Sequence, residues 1–288
     1  MSENFFATRH SIKPKNGIDP ESEIYQGISE KGVDLARERA KDILEIVKNE
    51  PEGTVMFLAG SSEIPRAKNA AKIYGEEIDK ILSENEDKEI SVISKKNIED
   101  ISKTENSFGD KPGYTQIANG IGEEIKANPN QKYIIDFPMY IKEYAFNNER
   151  WADKEGNQTE YVTKLLAKYN NNVEDCLRDW IKNEGKLDDL CGPNPTDMAK
   201  EQLEGIKRLT EFSSRFLEAG RNLLIGSVGH SWSLDALGVY LTNNGKVDIE
   251  GYENLGGKMI GETQIMRVGK NKDEKKSLFY GGKEYDLE

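Results

Sequence analysis

Four short runs of nearly continuous apolar residues constrain the fold of this chain more than any other sequence feature. They are FFAT at 5–8, TVMFLAG at 54–60, KYIIDF at 132–137 and NLLIGSVG at 222–229. Runs of this length without polar alternation are typical of strands that are covered on both faces, as in a parallel sheet. The sequence therefore predicts a sheet buried between two layers.

Helical patterns separate these runs. Ser29 is a suitable N-cap for a helix whose apolar stripe extends to Val47, before the breakers at 51–53. A second helix is predicted to start near Pro65, and a third to cover TDMAKEQLEGIKRLTEFSSRFLEAG and end at Gly220, a good C-cap. This alternation predicts an α/β fold with three α/β/α layers and a mostly parallel sheet.

The remaining segments suggest a single domain over 1–288 with additions. Residues from about 138 to 195 are less regular, and we interpret them as a helical insertion on the core. The stretch 247–268 alternates enough to predict an edge hairpin, and the charged tail from about Gly269 is expected to be loosely held.

Composition narrows the expected partners. The chain has 288 residues, a net charge of −12 and a pI near 5.0, which argues against nucleic acid or an anionic membrane as the main partner. We find no signal-peptide pattern and no apolar run long enough to span a membrane, so a cytoplasmic protein is expected. Cys176 and Cys191 are too few for a disulfide framework and lack zinc-ligand partners, although one disulfide between them is an alternative. The oligomeric state is left open.

Polar side chains follow three of the apolar runs, where ligands bind in parallel α/β sheets. Taken singly, each has an ordinary explanation as a helix cap, a surface cation or a hydrogen-bonded histidine. Taken together they use both histidines of the chain. The residues are Arg9, His10, Ser11 and Lys13 after the first run, Ser61, Ser62 and Arg66 after the second, and His230 after the fourth.

Such a set can carry out phosphoryl transfer. Two arginines bind a phosphoryl dianion through forked donors, and a neutral imidazole among cations is a competent nucleophile. A second histidine can stabilise the charge of the transition state. This chemistry needs no metal and no cofactor.

Four motifs, TRHS, SEKGVDLARERA, SSEIPRAKNAA and SVGHS, resemble in order those of the histidine phosphatase superfamily, which has the phosphoglycerate-mutase-like fold. The resemblance covers the core but not the middle insertion or the tail. It implies that His10 is the nucleophile, that Arg9 and Arg66 bind the phosphoryl oxygens and that His230 stabilises the transferring group. Ser62 lies in the third motif and is expected to be a phosphate contact.

The chain also departs from the family pattern. Lys13 stands where the acid-phosphatase branch has a further arginine, and Ser11 replaces a glycine, where it either crowds the phosphate or adds a donor. Ser231 replaces the aspartate that follows the second histidine in that branch, so the general acid must come from elsewhere. Glu99 is the preferred candidate; the others are Asp100, Glu105 and Glu143.

The leading hypothesis is therefore a metal-independent phosphatase that acts on a small phosphate monoester through a phosphohistidine. A phosphomutase and a catalytically inactive phosphate-binding or regulatory protein on the same fold are the alternatives. The sequence does not identify the substrate.

Overall fold

In the computed structural model, residues 4–15, 17–94, 114–144, 151–152, 157–215, 217 and 221–287 are described. Their centre is an eight-stranded sheet in the order β10-β9-β8-β1-β7-β2-β4-β3. Strands β1, β7, β2, β4 and β3 pair in parallel, whereas β8, β9 and β10 add an antiparallel edge. The strands are β1 (Phe5–Arg9), β2 (Val55–Ser61), β3 (Ile90–Ser94), β4 (Lys132–Tyr140), β7 (Leu223–Gly229), β8 (Ile265–Lys270), β9 (Lys276–Tyr280) and β10 (Lys283–Asp286).

Helices cover both faces of this sheet. Two separate core clusters show the layers: Phe6, Met56 and Leu58 pack on one face, while their neighbours Phe5 and Phe57 pack on the other. The first cluster contains α1 (Glu30–Asn49) and α2 (Pro65–Glu84). The second contains α3 (Tyr114–Ala127), α6 (Pro195–Ser213) and α7 (Ser231–Thr242).

The prediction of a three-layer α/β/α fold with a mostly parallel sheet is confirmed, and so are all four predicted strands. Ser29 caps α1 by accepting a hydrogen bond from the Gly32 backbone amide, and α2 starts at Pro65 as predicted. The third predicted helix ends at Ser213, and Gly220 lies outside the described residues.

The C-terminal part differs from the prediction. A short helix, α8 (Ile249–Asn254), precedes a single strand where a hairpin was expected. Residues 269–286, expected to be a loose tail, contribute the end of β8 and all of β9 and β10 to the sheet. Leu278 and Tyr280 are buried in the core, which explains why this charged segment is ordered.

Between β4 and α6, the described residues form α4 (Glu160–Lys168), α5 (Val173–Lys182) and a two-strand hairpin, β5 (Lys186–Leu187) and β6 (Leu190–Cys191). This segment joins the core through the three tryptophans of the chain. Trp151, Trp180 and Trp232 have ring centroids 5.1–5.4 Å apart, and Trp232 lies in the first turn of α7. Both cysteines are free. Of the helices described here, none has the length and apolar character needed to cross a membrane.

The pairing of the central strands determines where the functional residues meet. Arg9 at the end of β1 lies opposite Gly229 at the end of β7, and Ser61 at the end of β2 lies opposite Val228. Because these strands are parallel, their carboxyl ends lie at one edge of the sheet. The segments that follow them therefore converge there.

Candidate active site

The two histidines lie side by side at this edge. The ring centroids of His10 and His230 are 5.1 Å apart, with the planes inclined at 61°. The His10 backbone amide donates to the Gly229 carbonyl at 3.0 Å, which places His10 directly against the segment that leads to His230. The structure thus brings together the two histidines, which are 220 residues apart in the sequence.

Hydrogen bonds define which nitrogen of His10 is available. Nδ1 lies 2.7 Å from the Ser11 carbonyl oxygen, which can only accept, so Nδ1 carries the proton. Nε2 accepts from Nε of Arg66 at 3.0 Å and therefore carries a lone pair. His10 is in the tautomer that a nucleophilic Nε2 requires.

The surroundings keep His10 neutral. Burial, followed by the positive charge of Arg66, lowers the pKa of His10 from 6.5 to about 3, and the charges of Arg9 and Lys13 act in the same direction. Only 5% of His10 is exposed. The ring is therefore neutral at neutral pH, with its one proton on Nδ1, although the bond from Nδ1 to the Ser11 carbonyl raises the pKa.

The two arginines approach from different elements. Arg66 lies in the first turn of α2, and burial together with the neighbouring Arg9 charge lowers its pKa to about 10. Arg9 is held from the other side, because its NH1 donates to the Ile260 carbonyl at 2.7 Å and its NH2 lies 2.9 Å from a Glu262 carboxylate oxygen. Nε of Arg9 is buried and has no hydrogen-bond partner among the described residues, so this guanidinium keeps a donor for a bound anion.

His230 is fixed by Ser62. The Ser62 hydroxyl lies 2.8 Å from His230 Nε2, and both side chains are buried. Ser62 is not the side-chain cap of α2, since the N-cap position belongs to Ile64 and has no side-chain cap bond. Burial and then the charges around it lower the pKa of His230 well below 6.5.

Two helix N-termini also point to this edge. His230 is the N-cap of α7, and Arg66 lies in the first turn of α2. Helix N-termini present unpaired amide groups and favour negative charge. Together with the arginines, they make the edge suited to an anion.

Ser11 and Lys13 differ in their relation to this cluster. The Ser11 hydroxyl donates to the Gly32 carbonyl at 2.6 Å, so its single proton is committed to α1 and Ser11 contributes its carbonyl to the site instead. Lys13 is exposed at the rim. Partial desolvation of its ammonium group, followed by the positive charges of Arg66 and Arg9, lowers the pKa of Lys13. The charges of both arginines therefore act on Lys13.

Of the four carboxylates considered for the general acid, one lies among the described residues. Glu99, Asp100 and Glu105 lie outside the described residues. Glu143 is described, and its carboxylate pairs with Arg208 on α6 at 2.5 Å. Glu262, which sequence reasoning missed, is the carboxylate that contacts Arg9, and no motif or apolar pattern in the sequence marks it.

The arrangement suits phosphoryl binding and nucleophilic attack at phosphorus. A neutral imidazole, whose Nε2 lone pair accepts from Arg66, lies among two arginines and a second neutral histidine, which is the electrostatic surrounding that a transferring phosphoryl dianion needs. In the described part of the chain, no group of three histidine, cysteine or carboxylate side chains could hold a metal ion.

Comparison with known proteins gave structural matches only. No protein-family model matches the chain, and no curated protein matches it significantly. A mycobacterial glucosyl-3-phosphoglycerate phosphatase is 12% identical with a TM-score of 0.43, over 92% of this chain and 89% of that chain. A Mycobacterium tuberculosis open reading frame product is 9% identical with a TM-score of 0.45, over 97% and 96%.

An Escherichia coli K-12 protein, described as a candidate alpha-ribazole-5'-P phosphatase, is 10% identical with a TM-score of 0.38, over 99% of this chain and 96% of that chain. These identities and TM-scores are low. The function proposed below therefore depends on the geometry of the site.

Proposed function

We propose that this protein is a metal-independent phosphatase that hydrolyses a small phosphate monoester through a phosphohistidine at His10. One observation supports this most directly. The bond from Nδ1 to the Ser11 carbonyl leaves the Nε2 lone pair directed at Arg66, within a cluster that also contains His230. A histidine that served only the core would not need a cation at its second nitrogen.

The reaction has two balanced steps. In the first, Nε2 of His10 attacks phosphorus, the bond between phosphorus and the ester oxygen breaks, and the leaving oxygen takes a proton from a general acid. In the second, water attacks the phosphohistidine, gives up a proton to the same group, and releases inorganic phosphate and free His10. In our proposal Arg9 and Arg66 bind the phosphoryl oxygens, and His230 donates to them as charge develops.

Arg66 has to change partners during this cycle. Its Nε–H, which donates to Nε2 of His10, turns to a phosphoryl oxygen when the substrate binds, because an anionic acceptor makes a stronger hydrogen bond than a neutral ring. This exchange uncovers the lone pair only in the presence of the group that it attacks. Lys13 at the rim adds a further positive charge to the approach of the anion.

For the general acid we propose Glu99. The substitution Glu99→Gln should slow formation of the phosphohistidine from an alkyl phosphate far more than from p-nitrophenyl phosphate, since nitrophenolate leaves without a proton and this first step is the one in which the leaving group takes it. Equal effects on the two substrates would exclude Glu99 and direct attention to Asp100 and Glu105.

A second candidate is a protein that binds phosphate without turning it over. The same Arg66–His10 bond favours it, because a guanidinium that stayed on Nε2 would block the nucleophile. Inorganic phosphate and vanadate would then bind, but no phosphohistidine would form.

The deciding experiment measures release of inorganic phosphate from p-nitrophenyl phosphate, with and without a chelator, by the unchanged protein and by His10→Ala. We expect chelator-resistant turnover that falls by at least about 10³-fold in the variant. Asp179→Asn is a matched control, because Asp179 is buried and bonded to Lys168 and Tyr169, with no contact to the cluster.

Rapid quenching in base, with a labelled substrate, should trap a phosphoryl group on His10. Binding of vanadate without turnover of any phosphate monoester would support the second candidate. Transfer of the label to a second substrate molecule in place of water would indicate a mutase.

A further inference from the structure

A buried carboxylate close to the site has no role in the chemistry above. Asp235 lies on α7, five residues after His230, and is 0% exposed. Its Oδ1 accepts from the backbone amide of Ile260 at 2.9 Å and from the Tyr280 hydroxyl, whereas Oδ2 has no hydrogen-bond partner among the described residues. Burying a carboxylate with one oxygen unsatisfied is costly, so its presence here calls for a specific explanation.

Ile260 links Asp235 to Arg9, because its amide donates to Asp235 and its carbonyl accepts from Arg9. The Ile260 carbonyl accepts from NH1 of Arg9 at 2.7 Å, and two residues further on the Glu262 carboxylate contacts NH2. The segment 260–262 thus contacts the guanidinium of Arg9 at two points. On the α7 side, the described contact that anchors this segment is the bond from Ile260 to Asp235.

The same segment continues into a strained turn. Thr263 is β-branched and 0% exposed, yet its φ is +58°, in the left-handed region that such residues rarely adopt. Its amide donates to the Arg9 carbonyl at 3.1 Å, and the Gly261 amide donates to the Gln264 side chain at 2.8 Å. Strain of this kind persists only where surrounding contacts hold the backbone in place.

We propose that Asp235 is a positioning residue for Arg9: its carboxylate fixes Ile260 and the 260–264 turn, and this turn aims the Arg9 guanidinium at the phosphoryl site. The inference rests on the proposed function only in assigning Arg9 to phosphate. It explains why a carboxylate is kept in the core and why the strained turn lies next to Arg9.

The test compares two substitutions that keep the branching of aspartate at Cγ. Asp235→Asn keeps an oxygen that accepts from the Ile260 amide, whereas Asp235→Leu fills the volume but offers no acceptor. With inorganic phosphate as the probe, we expect Asp235→Leu to weaken binding about tenfold and Asp235→Asn to remain within about threefold of the unchanged protein. Asp235→Ala, which removes the acceptor without adding volume, should weaken phosphate binding as Asp235→Leu does; if it bound phosphate as well as Asp235→Asn, the loss in Asp235→Leu would come from overpacking and the proposal would be overturned.

A double-mutant cycle then shows whether the effect passes through Arg9. In an Arg9→Ala background, Asp235→Leu should cause no further loss of phosphate affinity, because the group that it positions is gone. A tenfold loss that persisted in that background would overturn the proposal. Asp179→Asn is again the control for substitution of a buried aspartate and should leave the affinity unchanged in both backgrounds.

A crystal structure of Asp235→Leu separates this inference from the proposed function. It reports the orientation of Arg9 even if the protein binds no phosphate. A displaced 260–264 turn with a reoriented guanidinium supports the positioning role, and an unchanged turn overturns it. A protein that shows the displaced turn but neither binds nor hydrolyses phosphate would contradict only the proposed function.

Discussion

The strongest test of the electrostatics around His10 does not depend on activity. We expect His10→Gln to make the protein less sensitive to acid than the unchanged chain. Glutamine is neutral at every pH, whereas an unfolded histidine binds a proton below its ordinary pKa of 6.5 and folded His10 does so only near a pKa of about 3. Between these values the unfolded state binds more protons, so the free energy of unfolding must fall as the pH falls.

The size of the effect follows from the two pKa values of His10. Through the interval from 6.5 to about 3, each pH unit removes about 1.4 kcal/mol of stability from the unchanged protein through this residue. Going from about pH 7.5 to about pH 4.5 therefore costs about 2.7 kcal/mol, a cost that His10→Gln does not incur. Burial is the larger cause and Arg66 the next, so this cost should persist in part when Arg66 is neutralised.

The assay is urea unfolding of both proteins at about these two pH values, with the free energies extrapolated to water. The substitution has its own cost at neutral pH, because it replaces the rigid ring nitrogen that accepts from Arg66 by a flexible side-chain amide. The informative quantity is therefore the change in the difference between the two proteins from one pH to the other. A difference that stays constant would refute the claim that His10 is held neutral, and with it the basis for a free nucleophile at Nε2.

Two further substitutions test charges near the site and in the core. Glu262→Gln should bind inorganic phosphate several-fold more tightly in calorimetric titrations, because the carboxylate that competes for Arg9 at 2.9 Å loses its charge; unchanged or weaker binding would contradict this. Asp136→Asn should have a higher free energy of unfolding than the unchanged protein, and this difference should grow as the pH rises. The reason is that burial, followed by the charges of Glu76 and Asp79, raises the pKa of Asp136 to about 7. In the same unfolding assay, the difference in free energy of unfolding should grow by about 1.4 kcal/mol per pH unit between pH 4 and 7. A difference that did not change with pH would contradict the raised pKa of Asp136.

The sequence predicts the layers and the position of the site because both depend on local patterns. The continuous apolar runs around Phe6, Phe57 and Ile225 are buried on two faces, and this burial leaves a signature in consecutive residues. The carboxyl ends of parallel strands share an edge, so placing His10 and His230 together required only the correct topology.

The parts that the sequence did not predict depend on contacts between distant segments. Strand β3 lies at the edge of the sheet and has no continuous apolar run, because only Ile90 and Ile93 of its five residues are buried. Strands β9 and β10 resemble a charged tail in sequence, since most of their residues are polar and their buried apolar residues, Leu278 and Tyr280, are not consecutive. The roles of Glu262 and Asp235 follow from the path of the 260–264 turn across Arg9, which no local pattern encodes.

The charge of the site is opposite to that of the chain, and this contrast supports the dianionic ligand that we propose. The protein carries a net charge of −12, yet Arg9, Arg66 and Lys13 converge on two neutral histidines. Burial and mutual repulsion lower the pKa of Arg66 to about 10 and lower that of Lys13 as well, so holding these cations together costs free energy. A dianion bound between them removes that cost, whereas a neutral or singly charged ligand removes less of it. Burial and these same cations keep His10 neutral, so in the reaction that we propose the groups that bind the phosphoryl oxygens also prevent Nε2 of His10 from taking up a proton.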